Sequence, residues 1–195
     1  MNTPRGKCES AIKKTFRYAE RNPEARIAYL RTLRQVVSEH GAGSLVYIDE
    51  SGFTVSSHRT HGWGKKGTKV YGNRSGNARP RTSLIAAKHG KKLLAPVLFQ
   101  GSTNAQWFNR WLAEHLFKEL PKNATLILDN AAFHKTQETR KIIEASPFRI
   151  IYLPPYSPDF NPIEKVFATL KKRRQFAPQG TSLDYLVKTY ECYSE

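Results

Sequence analysis

Apolar residues in this chain follow two spacings, unbroken short runs and stripes three or four residues apart, and each spacing predicts its own kind of element. The runs Leu45-Val46-Tyr47-Ile48 and Leu126-Ile127-Leu128 show no polar alternation, so they read as strands covered on both faces. Further strands are expected at Thr82 to Ala87 and Leu93 to Phe99, joined by a turn at His89-Gly90-Lys91, and at residues 149–153. Ser51-Gly52 carries turn chemistry, which predicts that the first strand stops at Asp49 and folds back as a hairpin through Phe53-Thr54-Val55.

The striped segments predict helices. Asn22-Pro23 supplies an N-cap and a first-turn proline ahead of Ile27, Leu30, Leu33, Val36 and Val37, with Gly41 as the stop. Thr103 and Gln106 have capping-box spacing before Trp107, Phe108, Trp111, Leu112 and Leu116, whose tryptophans suit a core, and Pro121 closes that helix. A short helix carries Ile142 and Ile143, and its place between two strands implies that they pair in parallel. The last helix opens at Asn161-Pro162-Ile163-Glu164, with Asn161 as N-cap and Ile163, Val166, Phe167 and Leu170 on one face. These elements make an α/β protein with a mixed sheet of five or more strands. Residues 1–41 form a basic arm and a helix, and residues 42–195 form the domain.

Charge changes this picture more than composition does. Thirty-two Lys and Arg face sixteen Asp and Glu in 195 residues, a formal net charge of +16, which favours a polyanionic partner through release of condensed counterions. Ribosomal association or simple solubility would also accommodate such a charge. Cys8 and Cys192 lie near opposite ends without metal-ligand spacing, which argues for free thiols in a reducing compartment. No apolar run approaches the roughly 20 residues of a membrane span. The expectation is a DNA-associated protein of the cytoplasm with no membrane partner.

Residues 59–81 gather Arg59, Lys65, Lys66, Lys69, Arg79 and Arg81, with Trp63 among them. Lys and Arg contact phosphates and an aromatic ring stacks on an unpaired base, so the segment suits a DNA-facing loop, although a solvated basic hairpin explains it too. Its formal GxGxxG lacks the preceding strand and following helix that a dinucleotide site requires. Lys171, Lys172 and Arg173 make a basic helix end that complements the helix dipole and can also meet phosphate.

Asp49, Asp129 and Glu164 each stand where an apolar segment begins or ends. Singly, Asp49 fits a turn former, Asp129-Asn130 a loop opening, and Glu164 a side chain reaching back to cap its own helix. As a set, three carboxylates at one sheet edge offer hard oxygen ligands of the kind Mg²⁺ or Mn²⁺ takes.

Three blocks sharpen this reading: Tyr47-Ile48-Asp49-Glu50-Ser51-Gly52-Phe53, Leu128-Asp129-Asn130-Ala131-Ala132-Phe133-His134-Lys135, and Tyr152-Leu153-Pro154-Pro155-Tyr156-Ser157-Pro158-Asp159-Phe160-Asn161-Pro162-Ile163-Glu164. They resemble the signature blocks of DDE transposases of the mariner-like superfamily, in its bacterial insertion-sequence branch, and the 34 residues between Asp129 and Glu164 match that branch. The resemblance runs from about Arg17 to Arg174 and implies a ribonuclease-H-like fold. Asp49, Asp129 and Glu164 would be the catalytic triad holding two Mg²⁺ or Mn²⁺ ions, with Asn130, His134 and Asn161 beside them. The implied chemistry is phosphodiester hydrolysis at element ends followed by attack of the freed 3′-hydroxyl on target DNA, at a TA dinucleotide, by a homo-oligomer on DNA.

Members of this family also carry helix-turn-helix modules, for which residues 1–41 are too short, so end recognition is expected from elsewhere, including a separately encoded partner. Val166-Phe167 stands where the family usually has Trp. Two other readings stay open: a catalytically silent or truncated DNA-binding regulator of transposition, and a ribonuclease-H-like nuclease.

Overall fold

The computed structural model describes residues 18–54, 64–71, 81–178 and 180–190. Five strands form one sheet: β1 Leu45–Thr54, β2 Arg81–His89, β3 Lys92–Gln100, β4 Thr125–Leu128 and β5 Arg149–Tyr152, in the order β3-β2-β1-β4-β5. The first three pair antiparallel, whereas β4 pairs with β1, and β5 with β4, in parallel. This is the mixed, five-stranded α/β sheet that the apolar runs and the resemblance imply.

Helices cover both faces. On one side Val46, Ile48, Ile85, Leu126 and Leu128 pack against Phe108, Trp111, Leu112 and Leu116 of the helical segment that begins with α2 Ala105–Trp111, and against Ile143 of α4 Gln137–Glu144. Between α2 and the short α3 Phe117–Glu119, Leu112–Leu116 widens into a π-helical turn. Trp111 is fully buried and its indole N–H donates to Ala95 O at 2.9 Å, so the tryptophan belongs to the core. On the other side Phe53, Leu84 and Ala86 meet Ile163, Val166, Phe167 and Leu170 of α5 Ile163–Phe176, with α6 Leu183–Lys188 behind. The N-terminal α1 Pro23–His40 lays Tyr29 against Ile127 and Leu153.

Four local expectations are corrected. No hairpin forms at Ser51-Gly52: β1 runs on to Thr54, with Ser51 opposite Leu84 and Gly52 opposite Ser83, because pairing along β2 outweighs the local turn preference. Val55 lies outside the described residues. Asn104, and not Thr103, caps α2, its side chain accepting from the Trp107 N–H at 2.8 Å. Asn161 contributes only its backbone carbonyl to the start of α5, accepting from the Glu164 N–H at 3.2 Å, since its side chain is engaged elsewhere. In α1 the buried residues are Tyr29 and Val36, while Ile27 is 51% exposed. Tyr29 wins the inward position by stacking on Phe160 with ring centroids 5.3 Å apart.

That last difference is measurable in urea melts. Tyr29→Ala should cost about 3 kcal/mol, the scale of truncating a buried aromatic, whereas Ile27→Ala should stay within about 0.5 kcal/mol, as for an exposed side chain.

Candidate active site

Strand register brings the two aspartates together. Leu45, Val46 and Tyr47 pair with Thr125, Leu126 and Ile127, and continuing the same parallel offset past the ends of that pairing sets Asp49 level with Asp129. Tyr47 and Ile127 belong to the same packed cluster on the α1 side, and two residues further along each strand the alternation of side chains directs both aspartates toward that face. There α5 begins, and Glu164 is its second residue. Asp49, Asp129 and Glu164 line one open cleft of about 540 Å³, together with Asn130, Asn161 and Tyr156.

The acids sit in different environments. Asp49 Oδ1 accepts from the Glu50 N–H at 2.8 Å and Oδ2 accepts from Asn161 Nδ2 at 3.1 Å. Burial pushes the Asp49 carboxyl up to about 7, aided by the negative charges of Glu50, Asp129 and Glu164 and opposed by the Glu50 N–H. Asp129 would also rise through burial, but hydrogen bonds from His134 and from the Ala131 N–H, with the charges of His134 and Lys135, hold it below the usual carboxylate range. Glu164 is exposed at the cleft mouth; burial and the neighbouring Asp129 and Asp159 raise it against the opposing charge of Lys171. Among the described residues its carboxylate makes no hydrogen bond to its own helix start, which argues against a capping role.

His134 is fully buried under Phe108 and Phe133, with ring centroids at 4.4 and 4.2 Å. Its Nδ1 lies 2.8 Å from Asp129 Oδ1 and its Nε2 3.2 Å from Glu50 Oε1. Burial pulls the ring pKa down, yet the two carboxylates that accept from it win and drive it up to about 9. Donation from both nitrogens fixes Asp129 Oδ1, which also accepts from the Ala131 N–H at 2.9 Å, and leaves Oδ2 turned to other partners. Glu50 was missed as a site residue. Its signal was adjacency: one position after Asp49 on a strand, it points to the opposite face, where it meets His134 from below.

Asn161 is buried beside Asp49, and its Oδ1 has no partner among the described residues. Asn130 lines the same cleft, with its amide donating to Leu153 O and accepting from Lys135 Nζ. It fastens the loop after β4 to the loop after β5.

The residues expected on DNA are more dispersed. Lys65, Lys66 and Lys69 are exposed; Arg81 is exposed at the start of β2 and lies over Gly52, where a Cβ would come within 1.8 Å of its Nε. Arg59, Trp63 and Arg79 fall outside the described residues. On α5, Lys171 and Lys172 are exposed, with Lys171 Nζ 5.7 Å from the Phe53 ring centroid, while Arg173 is half-buried 5.6 Å from that of Tyr190.

The donor set fits a divalent cation. Three carboxylates and one amide oxygen are hard ligands, and the mutual repulsion of Asp49 with Glu50, Asp129 and Glu164 is what such an ion would relieve. Among the described residues no three His, Cys, Asp or Glu side chains stand close enough together to hold one metal ion, so the three acids share the cleft without forming an assembled metal site. The cleft is open, with one wall carried by the β1 and β4 strands and the other by α5.

The sequence matches the family model described as DDE superfamily endonuclease over residues 44–184. A stretch of 75 residues is 36% identical to the "Insertion element IS630 uncharacterized 39 kDa protein" of Shigella sonnei, covering 38% of this chain and 22% of that protein. Among solved structures, the Mos1 transposase paired-end complex with left transposon end matches at a TM-score of 0.74 and 17% identity, over 95% of this chain and 60% of that one. The Mos1 transposase catalytic domain with raltegravir and Mn matches at a TM-score of 0.67 and 17% identity, over 92% and 86% of the two chains. At these identities the structures speak for the fold, and this chain spans about 60% of the first Mos1 chain and about a fifth of the insertion-element protein. The matched segment contains β1, β4 and the start of α5 with all three acids, and the chain belongs to the DDE superfamily of endonucleases.

Proposed function

We propose that this chain is the catalytic part of a DNA transposase of the insertion-sequence type, cutting phosphodiester bonds at element ends and joining the freed 3′-hydroxyl to target DNA. The observation that carries this reading is the register that sets Asp49 level with Asp129 and faces both toward Glu164, in a chain of net charge +16. Both the DNA and the metal named with the Mos1 structures agree with that charge and with these ligands.

Asp49, Asp129 and Glu164 are the residues that would hold divalent ions, Mg²⁺ or Mn²⁺ and two in number. Bound there, such ions supply positive charge to polarise a phosphoryl oxygen and to lower the pKa of an attacking hydroxyl. The chain's own groups arrange the acids. Asn161 orients Asp49 through Oδ2, and the Glu50 N–H holds Oδ1. Charged His134, braced by Glu50, holds Asp129 ionised and fixes its rotamer. Lys171, about two turns beyond Glu164 on α5, and Lys172 lie where a phosphate backbone leaving the cleft would meet them, and Lys65, Lys66, Lys69 and Arg81 extend the basic surface. Arg59, Trp63 and Arg79 belong to the same reading by sequence alone. Residues 1–41 would connect this unit to a DNA-recognition module, and assembly on DNA would be as a homo-oligomer.

Incubated with supercoiled plasmid or element-end duplex, the protein should nick DNA only with Mn²⁺ or Mg²⁺. Asp129→Ala and Glu164→Gln should each reduce the rate by at least about 10³-fold, the scale of losing several kcal/mol of charge stabilisation. Nicking that survives Asp129→Ala would reject the assignment, and metal-independent binding without nicking would favour a regulator.

A second measurement needs no DNA. The Asp49 carboxyl is raised in the folded protein from 3.8 to about 7, so the folded state binds its proton more tightly than the unfolded state. Its contribution to stability is therefore greatest in acid and is lost as pH rises toward 7. Above pH 7, Asp49→Asn should accordingly be more stable to urea than the wild type by a few kcal/mol, at roughly 1.4 kcal/mol per pKa unit. The two proteins should converge below about pH 4, and Mg²⁺ should stabilise the wild type but not the variant.

A further inference from the structure

Tyr156 combines two features that oppose each other. Its φ is +52°, in the left-handed region that residues with a Cβ avoid, yet its side chain is 52% exposed, so burial of the ring does not offset the strain. Ala95 is the other described non-glycine residue at positive φ, and there the cause is visible: it sits in the irregular pairing of β2 with β3, its N–H donating to Glu119 Oε2 and its carbonyl accepting from Trp111. No comparable packing accounts for Tyr156. What holds it is the backbone on either side. Ser157 Oγ donates to Pro155 O at 3.1 Å and accepts from Arg26 at 2.6 Å, and Asp159 is held by Arg21 and Arg26 at 3.1 and 2.7 Å. A strained residue that its surroundings over-determine is an arrangement found at functional sites.

The ring is presented to a particular place. Tyr156 and the 57% exposed Tyr18 face each other with centroids 5.7 Å apart and planes inclined by 42°. Both line the cleft of Asp49, Asp129 and Glu164, and both also line the adjoining cleft of about 880 Å³ that runs under α1. In that second cleft two guanidinium groups stand against the one carboxylate of Asp159, which leaves the wall positive. Exposed aromatic faces beside a positive wall are the elements that bind single-stranded nucleic acid, rings for bases and arginines for the backbone.

We propose that Tyr18 and Tyr156 form a stacking platform for an unpaired base of the DNA strand whose phosphate enters the acidic cleft, so that the end of the duplex is held frayed beside the bond to be cut. This rests on the transposase reading. A base inside a duplex keeps both faces covered by its neighbours, so a tyrosine face can reach it only once it has left the stack. Stacking reads every base, so the platform would tolerate sequence and select strand state instead.

The test uses the full chain without divalent metal, so that no cutting intervenes, and duplexes carrying 2-aminopurine either in a three-nucleotide overhang or within a blunt end. Wild-type protein should quench the overhang probe on binding. Tyr156→Ala and Tyr18→Ala should bind the overhang duplex roughly 5- to 100-fold more weakly, the range of one lost stacking contact, with blunt-duplex affinity unchanged. Tyr156→Phe should keep both quenching and affinity. Tyr156→Asn should lose them while melting no lower than the wild type, because asparagine tolerates positive φ; that separates the platform from a folding role. Absent quenching by the wild type, unaltered overhang binding by the variants, or an equal loss on blunt and overhang DNA would each overturn the proposal. Metal-dependent nicking, assayed separately on the same proteins, reports on the transposase reading independently.

Discussion

The parallel pairing of β1 with β4 is the constraint on which the rest depends. It joins segments eighty positions apart, Leu45 to Thr125, and makes two aspartates neighbours although nothing in their local sequence relates them. A shift of one residue would turn one of these carboxylates to the opposite face. The continuous apolar runs resist such a shift, since both faces of β4 are buried and Ile48, Leu126 and Leu128 share one core with Phe108 and Trp111. Core packing thereby becomes the geometry of the acidic cleft.

Collecting acids at one edge works against stability, and the structure shows how the strain is distributed. Asp49 bears most of it, driven up to about 7 by burial and by three acidic neighbours. Asp129 is relieved by His134, whose own charge is kept in a fully buried position by Glu50 on the opposite face of β1. The sheet is thus straddled by an acid, base, acid chain that begins among Phe108 and Phe133 and ends in the cleft. Stability conceded at a site of this kind is the usual counterpart of function.

The loop from Leu153 to Asn161 ties the third acid to the other two. Leu153 extends the β5 ladder through its N–H to Leu128 O, Arg26 and Arg21 of the N-terminal region hold Asp159, and Asn161 reaches Asp49. Arg26 also lies over the Phe160 ring at 3.8 Å. Through these contacts α1 bears on the same loop that positions Glu164.

Much of this was legible in one dimension. Apolar runs located β2, β3, β4 and β5 within two residues, the stripe Ile163, Val166, Phe167 and Leu170 gave the buried face of α5, and three motif blocks contained the acids that line the cleft. Such features depend on residues a few positions apart, where side-chain period and turn chemistry act. Other features were decided only by tertiary contact. Ser51-Gly52 has the chemistry of a turn, yet pairing with Leu84 and Ser83 keeps it extended; Ile27 matches the helical stripe, yet Tyr29 takes the inward place against Phe160; Glu50 looks like a bystander, yet it braces a histidine 84 positions away. Local sequence determines which elements form and which groups they carry, whereas partner, register and the environment of each charge are settled by packing between distant segments, because only there is the competition between burial and solvation resolved.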